Sequence, residues 1–245
     1  MAAPLREFTH GTFDANAALA QISDEGFNQA FVASMRLLGT LFVASPKTQD
    51  FKRALEAVRS LDLVQDWPFG GEGDLARAAE LFRQGAAEED DEELLRSYQR
   101  LFRGPNSLPA PPWGSVYMDR DQVMYGWTWN ELKAWMRSNG VEGTYEENDP
   151  EDHIGRLMLM AATVAEERPA CLCELLADHL LCWSDHFLAY FGERAASPTY
   201  LGIAALSRTT LLDVQEILGI EPRLPKLSLT NYSAKQTVWC HIPNR

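Results

Sequence analysis

No stretch of this chain strings together the roughly eighteen apolar residues that a membrane-spanning helix needs. The opening residues, MAAPLREFTHGTF, also lack the apolar core of a secretory signal, so the expected location is the cytoplasm, with no membrane insertion. Cysteine is scarce. Four in 245 residues (Cys171, Cys173, Cys182 and Cys240) fall short of a disulfide framework in a chain this size and read as reduced thiols. Basic residues are outnumbered, 22 against 35 acidic, for a net charge of −13. That balance repels phosphate backbones and anionic surfaces, so nucleic acid is a poor partner and basic peptide segments are better ones. Motifs for phosphate, acyl and metallopeptidase chemistry (G-x-x-x-x-G-K-[ST], G-x-S-x-G, H-E-x-x-H) are missing too. The glycine-rich FGGEGD at 69–74 follows no strand and lacks a lysine, which makes it a turn between helices.

What remains is helical periodicity. Period-2 strands and internal repeats are absent, and apolar residues recur at helical spacing. Phe27, Phe31, Met35, Leu38 and Phe42 form one stripe, with Asp24 as cap and Pro46 beyond its end. Further helices are expected near 48–61, 74–85, 91–103, 121–138, from Pro150 to Pro169, at 171–191 and at 198–218. The acidic run EEDDEE at 88–93 reads as a solvated helix N-terminus, where negative charge suits the dipole. Asp149-Pro150 reads as a cap followed by proline at the first helical position, with Asp152 in the first turn. The fold class is all-α, a single helical domain over 24–220. Residues 1–23 form an N-terminal extension, and 221–245 a basic C-terminal tail that is extended or wraps the body through Leu227, Leu229, Val238 and Trp239.

Three groups of residues carry possible chemistry. His179, Cys182 and His186 recur at i, i+3 and i+7, so one helix face offers three metal ligands, with Asp185 nearby; this supports an alternative reading as a metal-binding or hydrolytic protein. Asp152-His153 sets a carboxylate beside an imidazole, but adjacent helical residues diverge too far to form an acid–base dyad. Asp152 reads either as a helix cap or as a groove-rim carboxylate that takes a cationic group. Tyr98, Leu101 and Phe102 lie on one helix face that runs into Gly104-Pro105 and then into LPAPPWGS, where prolines stiffen a loop bearing Trp113. A helix face leading to a proline-held tryptophan makes an apolar groove wall.

YQRLFRGPNSLPAPPWGSVYMDRDQVMYG followed by NDPEDHIGRLMLMAA resembles the DmsD branch of the TorD/DmsD/NarJ redox enzyme maturation proteins. HLLCWSDHFL and MRLLGTLF resemble further helices of that family, so the likeness covers roughly residues 29 to 220. It implies an all-helical cytoplasmic chaperone, not an enzyme, with no cofactor or metal of its own. Such a chaperone binds the twin-arginine signal peptide of a molybdopterin-containing, DMSO-reductase-type catalytic subunit. It delays Tat export until the cofactor is inserted and the client folded. The partners implied are that peptide, the Tat translocase and molybdenum-cofactor synthesis proteins, with a monomer able to form a helix-swapped dimer. By motif the peptide-binding residues are Tyr98, Leu101, Phe102, Pro112, Trp113, Asp152 and His153, with Arg36 and Gly126 as weaker matches. The chain departs from the pattern at Tyr98, where close sequences carry Trp, at Asp149, which replaces Glu, and at Val43, where an aromatic is usual.

Overall fold

Helix starts in this protein are written by short polar side chains. The computed structural model describes residues 10–104, 107–119, 122–143 and 150–223. Within them Asp14, Asp24, Thr48, Asp62, Asp90 and Ser197 each accept a hydrogen bond from the backbone amide of the turn they precede. These caps open α1 (Ala15–Ile22), α2 (Glu25–Val43), α3 (Gln49–Ser60), α4 (Leu63–Asp66), α6 (Asp91–Tyr98) and α12 (Pro198–Ile217). Between them lie α5 (Glu72–Glu88), α7 (Gly114–Met118), α8 (Trp127–Ser138), α9 (Ile154–Glu167), α10 (Leu172–Leu175) and α11 (Leu181–Gly192). At Asp90 the acidic run forms a full capping box with Glu93. No strand occurs among the described residues, only two isolated bridges, Thr12 with Glu221 and Trp113 with His153.

The core is continuous. The predicted stripe on α2 is buried along its whole length, and α2 lies along α9 while α5 lies along α12 and α11 packs beside α12. An aromatic knot of Phe42, Phe102, Phe187, Phe191 and Tyr200 joins α2, α11 and α12 to the segment after α6, with ring centroids 5.5–6.2 Å apart. The α2/α9 crossing is close enough to need two glycines. A Cβ on Gly39 would stand 2.7 Å from the Gly155 carbonyl, and one on Gly155 would stand 2.6 Å from the Gly39 carbonyl.

Four expectations about the elements need correction. The helix expected near 121 begins only at Trp127, because Gln122 and Tyr125 have positive φ (52° and 61°) and the Asp119 carboxylate accepts from the Thr128 amide, closing the start of α8. The helix expected from Pro150 begins at Ile154, with His153 as its cap; Asp149 lies outside the described residues. The single helix expected at 171–191 is interrupted by a π turn, Leu176–Leu180, and a second π turn, Gln99–Arg103, ends the α6 segment. The weakly patterned stretch before residue 23 contains α1, whose Ala18 and Ile22 are buried against the body. Of the C-terminal stretch, only Glu221, Pro222 and Arg223 are described; residues 224–245 lie outside the described residues.

Candidate functional site

The proline loop is sewn to the start of α9 by backbone hydrogen bonds. The Gly114 amide donates to the Asp152 carbonyl (2.9 Å), and the Ile154 amide donates to the Pro112 carbonyl (2.8 Å). A proline cannot donate, but its carbonyl can accept, so Pro112 suits this short antiparallel pairing. One side chain then crosses the same junction, and another caps α9 beside it. Asp152 Oδ2 accepts from the Ser115 amide at 2.7 Å, so this carboxylate serves the first turn of α7 and not its own helix. His153 Nδ1 accepts from the Gly155 amide at 3.1 Å, which places the ring proton on Nε2.

Burial governs the electrostatics. Asp152 is 4% exposed, and loss of solvent raises its pKa to about 6 despite the Ser115 hydrogen bonds. His153, equally buried, is lowered to about 3 by desolvation, helped by the positive charges of Arg156 and Arg103, so it is a neutral imidazole. Its ring packs 6.2 Å from Trp113 and 6.3 Å from Phe102. This pair is therefore a support built into the protein. Asp152 does not present a free carboxylate to a cationic ligand, one of its two readings from sequence.

In front of that support lies an open groove of about 430 Å³. Phe102 and Trp113 form its inner surface, Leu108, Pro111 and Val116 its wall, and Met124 its rim. Trp113 is only 9% exposed, so the tryptophan that the sequence leaves unshielded is a floor residue, not a projecting anchor. Val123 and Tyr125, which flank Met124 on the loop before α8, and Trp127 at the start of that helix are each between 41% and 51% exposed. Arg103, also in the lining, turns back to donate to the Tyr98 hydroxyl at 3.0 Å. Among the described residues, no Asp or Glu lines this groove.

Five of the nine residues named from sequence thus gather at one place. Phe102 and Trp113 line the groove; Pro112, Asp152 and His153 hold it from behind. Tyr98 packs 5.5 Å behind Phe102, and Leu101 is wholly buried in the core. Gly126 sits at the start of α8, where a Cβ would collide with the Asp119 carboxylate, so only glycine lets that loop close. Arg36 stands apart. It pairs with Glu166 near the far end of α9, on the order of 20 Å along the helix from His153. Val116, Gln122 and Met124 were not singled out by sequence. The available hint was the apolar VMYGW, hidden by its assignment to a helix.

The His179–Cys182–His186 face does not assemble a metal centre. His179 packs its ring against Trp135, the Cys182 thiol donates to the Asp178 carbonyl (3.3 Å), and His186 sits between Tyr117 and Tyr190. Burial pushes the Cys182 thiol up to about 12, far from a ligating thiolate. Among the described residues no three His, Cys, Asp or Glu side chains are placed to hold a metal ion. The alternative reading has no support in the structure.

Comparison with known proteins places the chain in context. The profile of the family described as nitrate reductase delta subunit matches residues 71–189. Over 191 residues the chain is 40% identical to the Tat proofreading chaperone DmsD of Salmonella typhimurium, covering 78% of this chain and 91% of that one. It is 26% identical over 180 residues to the chaperone protein YcdY of Escherichia coli, covering 72% and 89%. Against the chaperone protein TorD of Vibrio vulnificus it is 25% identical over 144 residues, covering 52% and 65%.

Proposed function

This chain belongs to the DmsD family of Tat proofreading chaperones, and on that premise we propose that its apolar groove holds the twin-arginine signal peptide of a redox enzyme. The client is a molybdopterin-containing, DMSO-reductase-type catalytic subunit, kept from Tat export until its cofactor is in place. The protein acts by holding, not by chemistry. The observation that carries the reading is the groove itself: an apolar trough between Phe102 and Trp113, with no carboxylate among its described lining residues and with Met124 at its edge. Such a surface accepts the apolar segment of a signal peptide, each buried large side chain contributing about 1.5–3 kcal/mol. The arginines that precede that segment are drawn by the field of a chain with net charge −13. Tyr98, Leu101, Pro112, Asp152 and His153 act behind the groove by fixing Phe102 and Trp113, and Gly126 acts by letting the adjoining loop close. No helix among the described residues is long and apolar enough to cross a membrane, which suits a cytoplasmic holder that meets the Tat translocase and cofactor-synthesis proteins in passing.

Calorimetric titration with a synthetic twin-arginine signal peptide tests this. Ordering a flexible peptide offsets much of the burial, so saturable binding of about micromolar strength is expected. Trp113→Ala should weaken it by about tenfold or more while the far-ultraviolet dichroism stays helical. Unchanged affinity in that variant would remove the groove from the reading, and no binding to several such peptides would remove the function.

A further inference from the structure

A second opening lies where α7, α8, α11 and the approach to α9 meet: a narrow crevice of about 20 Å³. Ser115, Thr128 and Asp152 line it together with Asp178, Cys182 and Trp183. The two sets of side chains differ in how their polar atoms are occupied. In the second set the Asp178 carboxylate accepts from the Gly11 amide (2.7 Å), the Cys182 thiol donates to the Asp178 carbonyl, and the Trp183 indole donates to the His179 carbonyl. In the first set Asp152 Oδ1, Ser115 Oγ and Thr128 Oγ1 are buried, and none has a hydrogen-bond partner among the described residues. A hydroxyl keeps two lone pairs whichever way its proton turns. Asp152 Oδ2 is taken by the Ser115 amide, so Oδ1 is the atom of this carboxylate still to be matched.

We propose that this crevice binds one internal water molecule, which donates to Asp152 Oδ1 and shares its remaining hydrogen bonds with the Ser115 and Thr128 hydroxyls. Size and chemistry both carry this. A cavity of roughly 10–15 Å³ or more admits a water, and about two to four polar groups hold it. The crevice has room for one, and its three unmatched polar atoms come from three separate segments of the chain. A buried acceptor left without a hydrogen bond loses its hydration and gains nothing in return, so Oδ1 drives the binding. A metal ion is the poorer occupant, since no three His, Cys, Asp or Glu side chains among the described residues are placed to share one. The water is a structural ligand. It ties Thr128, in the first turn of α8, to the carboxylate that carries the Ser115 amide, so α7, α8 and the α9 junction are joined at one point. The site does not rest on what the Trp113 groove binds.

A high-resolution crystal structure of the full chain tests this directly. A single oxygen-sized peak is expected at about 2.7–3.0 Å from Asp152 Oδ1 and from the two hydroxyls. Contacts of about 2.4 Å from six or more oxygens would identify a cation and overturn the proposal. An empty crevice, or one closed by a shifted side chain with Oδ1 bonded to a protein donor, would overturn it as well. In solution, oxygen-17 magnetic relaxation dispersion counts long-lived internal waters without interference from hydroxyl protons. Thr128→Val keeps the β-branched shape and removes the hydroxyl. It should lower that count by about one while the far-ultraviolet dichroism stays helical. Should this variant fail to fold, Ser115→Ala is read in the same way. A count equal to that of the parent in a folded variant would sink the idea.

Discussion

At the scale of single residues, two glycines and one carboxylate hold the site. Gly39 and Gly155 face each other where α2 crosses α9, two positions after His153, so this contact sets where the imidazole stands. Gly155→Ala would push a methyl group against backbone that cannot retreat, and a loss of about 1–3 kcal/mol is expected in urea unfolding. A stability equal to that of the parent would show that the crossing can relax. Asp152 makes a pH prediction. Its folded value of about 6 lies above its ordinary 3.8, so between about pH 4 and 6 the folded chain holds a proton that the unfolded chain has released. That contribution is full at low pH and is lost as pH rises through 6. His153, lowered from 6.5 to about 3, works in the opposite sense, its contribution being present above 6.5 and lost on acidification. Asp152→Asn removes the first contribution alone, since an amide oxygen still accepts from Ser115. The stability of this variant relative to the parent should therefore rise by roughly 2 kcal/mol between about pH 4 and 7. Unfolding midpoints whose difference does not change with pH would contradict it.

Elements were largely legible because their signals are local. The α2 stripe, the Asp24 cap, the Asp90 box and Pro198 at the head of α12 are all written within a few residues of where they act. The failures share one cause, a distant group overriding a local pattern. VMYGW has helical composition, but Asp119 closes the start of α8 at Thr128. Pro150 suits a first helical position, yet residues 152–154 are taken by pairing with the proline loop. The π turn at Leu176–Leu180 adds one residue without changing composition, and its effect appears only in its partners. Its Ala177 carbonyl receives the Arg223 amide, its His179 carbonyl receives the Trp183 indole at 2.8 Å, and its Asp178 carboxylate receives the Gly11 amide. The site was legible in part for the same reason: the stiff loop and the aromatic face were visible, whereas the inward role of Asp152 depends on Ser115. Both ends of the described chain thus lean on one irregular turn. Arg223→Ala, which strands Glu131 without its cation, is expected to cost about 3 kcal/mol in equilibrium unfolding. A loss below about 0.5 kcal/mol, the usual size for an exposed pair, would place the Arg223 anchor among surface contacts.

For the molecule as a whole, charge and topology matter more than any single contact. An excess of 13 negative charges should speed the approach of a cationic signal peptide, and salt should remove that advantage. Raising ionic strength from about 0.02 to 0.2 M is expected to slow association several-fold in stopped-flow mixing and leave dissociation nearly unchanged. A peptide with both arginines replaced by alanine should lose most of that salt dependence; an identical dependence would mean that the field does no steering. The seam between Pro112–Gly114 and Asp152–Ile154 has a kinetic meaning as well. Its two sides are separated by about forty residues of chain, and pairings so remote form only after the intervening entropy has been lost. The groove should therefore be absent from a nascent or partly collapsed chain and arrive together with the finished fold. With the client's peptide held in that groove, as proposed above, the chaperone takes up its client only once its own fold is complete.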